Sequence, residues 1–531
     1  MLTTGLLGPS AFGLSISSII AFGIPTFILG IFAWYIIAYF RDPLDLRRFT
    51  GPKLAAFSAV WSMRHCLKNK RFWGIHKAHE QYGPIVRIQP DHVSFNIGEA
   101  INDIYGHGKD LMKAPFYDTL AAAHRSMFDT TDRVEHGLKR KYVSHMFAPQ
   151  CVTELEDVIA GVTQDLSNVI DRYAESGEWM NMRHWVSMYA FDIIGQMGFA
   201  TDLGCLRRGD DILVGQTRSG KRYTASAMKG VYDGGSYNVL WGQAPAYLGW
   251  TKWLTSWTKG RYYADFFFDV AIELVKNRVP AEDVAEYEKT RRYDLWHRMV
   301  VGKNGDALGL EFEEMFSEAA VLMIAGSDTS GTGVCNTILE LIQDPERLQK
   351  LREELDAAIP PDTKVATHDQ VRDLPYLAAC INEALRLRPP NAQGLPRIVS
   401  KNGATVCGYH MKPGTSVSVP TYTIHRNEAY FKDALKFNPE RWINNPDPQE
   451  TYNLQKYVIP FSHGSRACIG RNLANLELRV AVATVMSKFE FEMQYPGKPV
   501  EILERFNSNP EDFYVKVRRR RSFIATEEIA V

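Results

Sequence analysis

Residues 461–470 read Phe-Ser-His-Gly-Ser-Arg-Ala-Cys-Ile-Gly, and this stretch decides how the rest of the chain is interpreted. Its cysteine, Cys468, stands between small residues, two positions after Arg466 and seven after Phe461, and a predicted helix follows over residues 472–488. The glycines let backbone N–H groups approach the sulfur, and the arginine places a fixed positive charge nearby. Cys468 is therefore a candidate metal ligand, although a single cysteine is more often an inert buried thiol.

Size and composition indicate a large globular protein that does not bind nucleic acid. The chain has 531 residues, 45% of them hydrophobic, which is enough to bury a large core. Its formal net charge of zero argues against a broad nucleic-acid surface, and the basic run 518–521 is interpreted as a solvated tail. The seven cysteines are scattered without a Cys-x-x-Cys pair, which favours a reducing compartment.

An apolar segment near the N-terminus predicts a membrane anchor. Residues 16–40 carry no charged side chain and are long enough to cross a bilayer core of about 30 Å. Basic residues follow from Arg41 onward, whereas residues 1–15 have none, so the positive-inside rule leaves the body in the cytoplasm. We expect a signal anchor over 16–40, with 1–15 on the non-cytoplasmic side, in the endoplasmic reticulum. A cleaved signal peptide is the alternative, but a basic start and a cleavage site are missing.

The body is predicted to be one mainly α domain with small β-sheets. Residues 41–53 form a proline-containing connector, and the domain extends from 54 to 531 without a second linker. Short β signals occur at 85–95, and again at 405–411 and 415–419, where Pro413-Gly414 predicts a hairpin turn between the last two.

A long helix is predicted over residues 311–343, ended by Asp344-Pro345. Within it, residues 325–333 read Ala-Gly-Ser-Asp-Thr-Ser-Gly-Thr-Gly, and each mid-helix glycine costs roughly 1 kcal/mol relative to alanine. Three explanations are open: a loop between two helices, close helix packing, or a local opening of the helix against a flat cofactor. In the last case Asp328 and Thr329 are placed to hand protons to bound oxygen.

A second helix, opened by Leu374-Pro375, carries a Glu-x-x-Arg pair. Glu383 and Arg386 are three residues apart and share a face, which by itself is usually a weak surface contact. Residues 437–442 follow and read Phe-Asn-Pro-Glu-Arg-Trp.

The four motifs at 325–330, 383–386, 437–442 and 461–470, in this order, resemble those of the cytochrome P450 family of haem-thiolate proteins. The resemblance implies the family's mostly helical fold, preceded here by one transmembrane helix, with haem b between the long helix and the cysteine loop. Cys468 would be the axial iron ligand, and Asp328 and Thr329 the proton-delivering catalytic pair. Glu383, Arg386 and Arg441 would form a buried charge network that supports the loop, with Trp442 where the family usually has phenylalanine.

The resemblance also implies residues for haem and substrate. The cofactor contacts would include Arg466, Arg397, Arg140, His136, Phe461, Gly470 and Gly326. His136 stands where the family usually has tryptophan. The substrate pocket would include Phe116, Tyr117, Val321, Ala325, Gln393, Leu395 and Phe506. Residues 213–262, which contain Trp241, Trp250, Trp253 and Trp257, are also expected to touch substrate.

The implied activity is insertion of one oxygen atom from O2 into an apolar or aromatic small molecule, such as a fungal secondary-metabolite intermediate. Residues 86–94, 105–108, 133–147 and 423–426 are similar to the fungal benzoate para-hydroxylase group, so detoxification of small aromatic acids is an alternative. A haem-thiolate isomerase or dehydratase and a non-enzymatic haem-binding membrane protein are further alternatives. Residues 471–531 are too few for a flavin domain, so a separate NADPH–cytochrome P450 reductase is expected as partner, with cytochrome b5 as a further candidate.

Overall fold

The computed structural model describes residues 23–121, 124–278, 294–300, 309–443 and 445–520. The predicted N-terminus 1–15, residues 16–22 of the predicted span and the tail from residue 521 lie outside the described residues. Among the helices that the described residues form, none combines the length and the apolarity needed to cross a bilayer.

Helices account for most of the described chain. They are α1 Ile24–Arg41, α2 Lys53–Phe57, α3 Val60–Cys66, α4 Arg71–Tyr82, α5 Glu99–Tyr105, α6 Arg133–Val143, α7 Pro149–Thr153, α8 Glu156–Ser176, α9 Met182–Phe199, α10 Cys205–Arg208, α11 Ala227–Gly242, α12 Leu248–Leu254, α13 Lys259–Arg278, α14 Leu295–Val300, α15 Phe312–Gln343, α16 Pro345–Ala358, α17 His368–Val371, α18 Pro375–Leu387, α19 Thr421–Ile424, α20 Pro448–Tyr457 and α21 Arg471–Lys488. Short 3₁₀ turns occur at Pro115–Thr119, Ser144–Phe147, Pro245–Tyr247, Pro439–Trp442 and Gly464–Arg466.

The strands form small sheets around this helical body. They are β1 Ile85–Gln89, β2 His92–Phe95, β3 Leu111–Lys113, β4 Met180–Asn181, β5 Ile212–Gln216, β6 Arg222–Ser226, β7 Arg397–Val399, β8 Ala404–Val406, β9 Tyr409–Met411, β10 Ser416–Ser418, β11 Phe489–Met493, β12 Ile502–Arg505, β13 Asn507–Pro510 and β14 Tyr514–Arg519. The largest sheet has the order β1-β2-β10-β7-β3, and a second has the order β11-β14-β4. The pairs β5–β6, β8–β9 and β12–β13 stand alone.

The predicted hairpin around Pro413-Gly414 is wrong. Strand β8 pairs with β9 through the turn Cys407-Gly408, where both residues have positive φ (47° and 81°). Strand β10 instead pairs in parallel with β2 and antiparallel with β7. The predicted strands form, but the hairpin turn is at Cys407-Gly408, six residues before Pro413. Two consecutive residues with positive φ are typical of a tight hairpin turn.

The long helix α15 runs unbroken from Phe312 to Gln343, so the two-helix interpretation of residues 325–333 is excluded. Glu313 and Glu314 lie in its first turn, where acidic side chains stabilise the positive end of the helix dipole, and Pro345 begins the next helix. Most of its side chains are buried on every side, as expected for a central helix.

Close packing explains the glycines of α15. A Cβ at Gly326 would lie 2.5 Å from Cδ1 of Ile194, and one at Gly331 would lie 2.8 Å from Cβ of Ala190, both on α9. A Cβ at Gly333 would lie 3.0 Å from Cδ2 of Leu478 on α21. The helix therefore stays regular here, and the expected local opening is replaced by unusually close contact with two neighbouring helices.

A buried charge network fixes the region ahead of the cysteine loop. The Glu383 carboxylate accepts from Arg386 Nη2 at 2.7 Å, Arg441 Nε at 3.0 Å and Trp442 Nε1 at 2.9 Å. Trp442, which replaces the family's phenylalanine, thus adds a hydrogen bond that phenylalanine lacks. Arg441 also donates to Glu450, so two carboxylates balance two guanidinium groups.

The same network reaches the cysteine loop through a histidine. Arg386 Nη1 donates to the His425 carbonyl at 2.6 Å, and His425 Nδ1 lies 3.1 Å from the Arg386 carbonyl. His425 Nε2 accepts from the backbone N–H of Ile459 at 2.8 Å, two residues before the loop begins. Burial lowers the pKa of His425 to about 3, so the ring is neutral and can both donate and accept.

Replacing Arg386 by leucine should destabilise the protein by about 3–5 kcal/mol, because it leaves the Glu383 charge buried with too few partners. Urea unfolding measures this loss. Lys436→Met, at an exposed ion pair with Asp433, is the matched control and should leave the urea midpoint nearly unchanged, because exposed ion pairs contribute little to stability. A loss of under about 1 kcal/mol in Arg386→Leu would show that the network does not support the fold.

Acid unfolding gives a second measure of the same network. Burial opposes ionisation of Glu383, but Arg386 and Arg441 hold its pKa below the ordinary 4.5. The stabilisation is therefore present above pH 4.5 and is lost as the pH falls through the lower folded value. In Arg386→Leu the folded pKa should rise, and acid unfolding should begin at a higher pH than in the parent.

Candidate functional site

The cysteine loop is held in a conformation that only this pattern of small residues allows. Gly464 has φ +72°, and a Cβ there would lie 1.9 Å from the Tyr105 carbonyl oxygen, so no other residue fits. The Cys468 N–H donates to the Phe461 carbonyl at 2.9 Å, which closes the loop. Gly470 leaves the sulfur side open, since a Cβ there would lie no closer than 4.0 Å from the Cys468 sulfur.

Cys468 faces an internal cleft rather than the outer surface. Its side chain is accessible to solvent, yet burial is the main influence on its pKa and raises it. The Gly470 N–H and Arg140 act in the opposite direction and favour the thiolate. Ala325 is likewise exposed although it lies in the middle of α15. The helix is regular at this point, so it is this face of the helix that borders a cleft.

Positively charged side chains surround the loop on the side of α6. Arg140 Nη1 donates to the Ala467 carbonyl at 2.9 Å, and Arg466 Nη1 donates to the Thr130 carbonyl at 2.8 Å. Arg397, 3% exposed, lies 3.4 Å from the Tyr117 hydroxyl. Burial, followed by the charges of Arg466 and Arg140, lowers the pKa of His136 to about 3. In the described part of the chain, none of these groups forms a salt bridge with a carboxylate, although all of them lie in a common positive field.

A haem fits this set of residues. We call Arg140, Arg397 and Arg466 the cationic cluster, and a cofactor with two carboxylates would supply the negative partners that this cluster lacks among the described residues. The exposed Cys468 beside it is a suitable ligand for the iron of such a cofactor. Cys468 would hold the iron, and Arg140, Arg397, Arg466 and His136 would hold the propionates. Phe461 and Gly470 belong to the same loop. Gly326 is turned toward Ile194 on α9, and its predicted cofactor contact stays a prediction.

Asp328 and Thr329 have different partners in the structure. The Asp328 carboxyl accepts from Asn507 Nδ2 at 2.7 Å and Asn509 Nδ2 at 2.8 Å, both on β13. Thr329 donates to the Ala325 carbonyl at 2.6 Å and keeps its lone pairs open. Burial raises the pKa of Asp328, while hydrogen bonds from Asn507 and Asn509 act against the rise.

A small cavity adjoins Asp328 on the side of β13. It offers about 10 Å³ to water centres, roughly room for one water molecule. Arg183, Tyr232 and Asn509 are among its lining residues. Two guanidinium nitrogens of Arg183, Nε and Nη2, have no hydrogen-bond partner within the described residues. A water in the cavity would satisfy such groups and give Asp328 a proton-exchange partner.

Aromatic rings form one wall beside the cleft. The Phe116 ring stacks at 6.3 Å on Phe506, and Tyr117 meets Phe116 edge-on at 5.5 Å. Phe506 has φ +82°, which an L-residue rarely adopts, so its ring is placed at a conformational cost. Val321 and Leu395 are partly exposed, which is compatible with the predicted pocket.

Gln393 does not contribute free polar atoms to the predicted pocket. It is 1% exposed, and its Oε1 accepts from Arg71 Nη1 at 2.9 Å. Three of the tryptophans expected near substrate lie on the outer surface, with exposures of 70% for Trp250, 69% for Trp253 and 78% for Trp257. Their predicted contact with substrate stays a prediction.

Comparisons with known proteins agree with the geometry. The cytochrome P450 family model matches residues 52–517. The chain belongs to the cytochrome P450 family.

Curated relatives of this cytochrome P450 are fungal enzymes. A benzoate 4-monooxygenase of Aspergillus niger is 35% identical over 92% of this chain and 95% of its own length. A cytochrome P450 monooxygenase of Stereocaulon alpinum is 28% identical over 84% of this chain and 85% of its own length. The chain is thus an oxidoreductase of the monooxygenase type, which supports the predicted class over a non-enzymatic haem protein.

A solved cytochrome P450 structure shares the fold. It superposes with a TM-score of 0.67 at 22% sequence identity, covering 85% of this chain and 94% of the solved chain. The predicted fold class is confirmed for the catalytic body.

Several residues of the site were not apparent from the sequence. Asn507 and Asn509 clamp Asp328, and Lys113 and Phe128 lie among the cations and aromatic rings. The alternation Asn-Ser-Asn at 507–509 places both amides on one face of a strand, which was the available signal. For Lys113 and Phe128 no spacing rule predicts the contact, since they come from a loop and a short edge strand.

Removing a clamp amide should change the ionisation of Asp328. In Asn509→Leu, one of the donors that oppose burial is lost, so the pKa of Asp328 should rise further. The alkaline limb of the pH–turnover profile, along which Asp328 loses its proton, should then move to higher pH, and a larger share of the electrons supplied should go to products other than the oxygenated substrate. Ser508→Ala, whose hydroxyl contacts Ala392 instead, is the matched control. An unmoved profile with an intact carbon-monoxide spectrum would contradict a positioning role for Asn509.

Proposed function

We propose that this cytochrome P450 inserts one oxygen atom from O2 into a small aromatic molecule, with electrons from a separate NADPH–cytochrome P450 reductase. The observation that carries the proposal is the exposure of Cys468 in its loop and of Ala325 in the middle of α15. We infer that these two residues line one cleft, with Thr329 on the side of α15. The aromatic wall of Phe116, Tyr117 and Phe506 favours a flat apolar ligand.

Haem, when bound, supplies the activation of O2, and the chain supplies the proton path. Asp328 holds a proton on its carboxyl more readily than an exposed aspartate, because burial raises its pKa. Thr329 has hydroxyl lone pairs free to accept a hydrogen bond in the cleft, as its own proton is engaged with Ala325. An isomerase or dehydratase needs no such proton delivery, so retention of both groups supports the monooxygenase.

Two observations support an aromatic substrate of small size. The relative that is 35% identical over nearly the whole chain is named for benzoate, and the rings of the wall pack closely on one another. A benzoate-type aromatic acid is therefore the first substrate to test. Larger molecules of fungal secondary metabolism should be tested second.

Reconstitution with a fungal reductase tests the reaction class. With NADPH and O2, the holoenzyme should convert a small aromatic acid to a hydroxylated product, and isotope from ¹⁸O2 should enter that product. Cys468→Ser should lose both turnover and the ferrous–carbon monoxide spectrum of a thiolate ligand, whereas Cys407→Ser, away from the loop, should keep both. Turnover without NADPH or O2 would identify an isomerase or dehydratase and reject the proposal.

We further propose that the protein is a single-pass protein of the endoplasmic reticulum membrane with a cytoplasmic catalytic body. Helix α1 exposes Trp34, Ile36 and Phe40, and its Tyr35 lies near the Tyr247 side chain. Tyr247 is followed by the exposed Trp250, Trp253 and Trp257. An apolar aromatic surface of this kind beside an apolar N-terminal segment supports contact with a membrane.

Protease protection in intact fungal microsomes tests this topology. A tag at the N-terminus should be protected from added protease, and a tag at the C-terminus should be digested. The protein should also stay in the membrane pellet after an alkaline carbonate wash. Protection of both tags, or release of the protein by carbonate, would contradict the proposed topology.

A further inference from the structure

A ring of four aromatic side chains stands next to the cationic cluster. Phe116, Tyr117, Phe128 and Phe506 contact in a closed circuit, with centroid distances of 5.5, 5.7, 5.9 and 6.3 Å. We call these four residues the aromatic ring set. Phe128 and Phe506 are only half-buried, so part of the set faces open space.

The ring set is held rigidly from behind. Gly242 of α11 makes room for Phe116, since a Cβ there would lie 2.6 Å from Cδ2 of the ring. Asn391 Nδ2 donates to the Phe506 carbonyl at 3.2 Å. Through Asn507, the residue after Phe506, the set is also tied to Asp328. A ligand ring that packs on this set therefore lies beside the proton-delivering end of the cleft.

Lys113 sits at the border between the ring set and the cationic cluster. Its Nζ lies 4.0 Å from the centre of the Phe128 ring and 4.4 Å from that of Tyr117. The side chain is 6% exposed, and Nζ donates to the Phe128 carbonyl. Such cation–π contacts place the ammonium against the ring set itself. Lys113 therefore faces the aromatic ring set, whereas Arg140 and Arg466 donate to backbone carbonyls next to the cysteine loop and make no cation–π contact with the four rings in the described residues.

The cluster carries more positive charge than a haem would neutralise. Arg140, Arg397 and Arg466 form no salt bridge within the described residues, and neither does Lys113. The two propionates of a haem would leave a positive excess. The acid that acts on Lys113, Asp129, is engaged with the Ser126 N–H at 2.7 Å. Burial, followed by the charges of Arg397 and Arg466, lowers the pKa of Lys113 well below its usual range. A carboxylate bound beside Nζ would oppose this shift and favour the ammonium form, so binding of the anion and protonation of Lys113 would support each other.

We propose that Lys113 binds the carboxylate of an aromatic acid whose ring packs on the aromatic ring set. This inference rests on the proposed oxygenation of a small aromatic molecule. It adds that the substrate is an anion and that Lys113 binds its carboxylate. Tyr117 extends the anchor, because its hydroxyl lies 3.4 Å from Arg397 Nη1 and can donate to the same carboxylate. A carboxylate held there leaves the opposite end of the ring pointing away from the cluster, toward the cleft.

The experiment compares an acid with its neutral amide in the holoenzyme. Benzoate and benzamide have the same ring, and their dissociation constants are measured from the ligand-induced spectral change of the ferric protein. In Lys113→Met, benzoate should bind about 10- to 100-fold more weakly, because a charged hydrogen bond is lost, and benzamide should change by less than about threefold. Lys113→Arg should restore benzoate binding. Lys109→Met, at a half-buried ion pair with Asp103, should change neither constant.

Haem content separates the anchor from a cofactor role. If Lys113 serves only the propionates, Lys113→Met should lower haem content or weaken both ligands equally, and either result would overturn the proposal. Equal affinity of the parent enzyme for benzoate and benzamide would also overturn it. These outcomes leave the proposed function standing, since neutral aromatic molecules could still be oxygenated. The proposed function fails separately if the intact thiolate-ligated enzyme with reductase oxidises no aromatic molecule.

Discussion

Burial of the Glu383 carboxylate is the constraint on which the cysteine loop depends. A charge at 0% exposure is expensive unless every lone pair is used, and here Arg386, Arg441 and Trp442 use them. Arg386 also donates to the His425 carbonyl, and His425 accepts from the backbone N–H of Ile459. The arginine that makes burial of the Glu383 carboxylate possible therefore also fixes the start of the loop. The thiol is thus positioned by a set of ions that never touch it.

Two different electrostatic environments adjoin the cysteine loop. In the network around Glu383 opposite charges balance, whereas Lys113, Arg140, Arg397 and Arg466 cluster without salt-bridge partners in the described residues. A balanced network gives rigidity, and an unbalanced one gives affinity for anions. The protein keeps the two apart by placing the first behind the loop and the second beside α6 and β3.

Much of this arrangement was predictable from the sequence because it depends on local pattern. The bounds of α15, α18 and α21 follow from apolar periodicity and from Pro345, Pro375 and the glycine before Arg471. The ion pair between Glu383 and Arg386 follows from helical spacing and the motif order. What could not be predicted are contacts between distant segments, such as Asn509 with Asp328 or Lys113 with Phe128, which depend on how short strands and loops are placed in space. The misplaced hairpin near Pro413 has the same origin, since strand pairing is a long-range choice.

The glycines of α15 also determine which wall of the cleft is free to move. At Gly331 an added methyl group would lie 2.8 Å from Cβ of Ala190 on α9, and at Gly326 it would lie 2.5 Å from the end of the Ile194 side chain. Surfaces packed this closely do not slide in small steps. The helix pair therefore acts as a fixed frame. The movements that admit and release ligands must therefore occur in the segments that face this helix pair across the cleft. Those segments alone determine the width of the entrance.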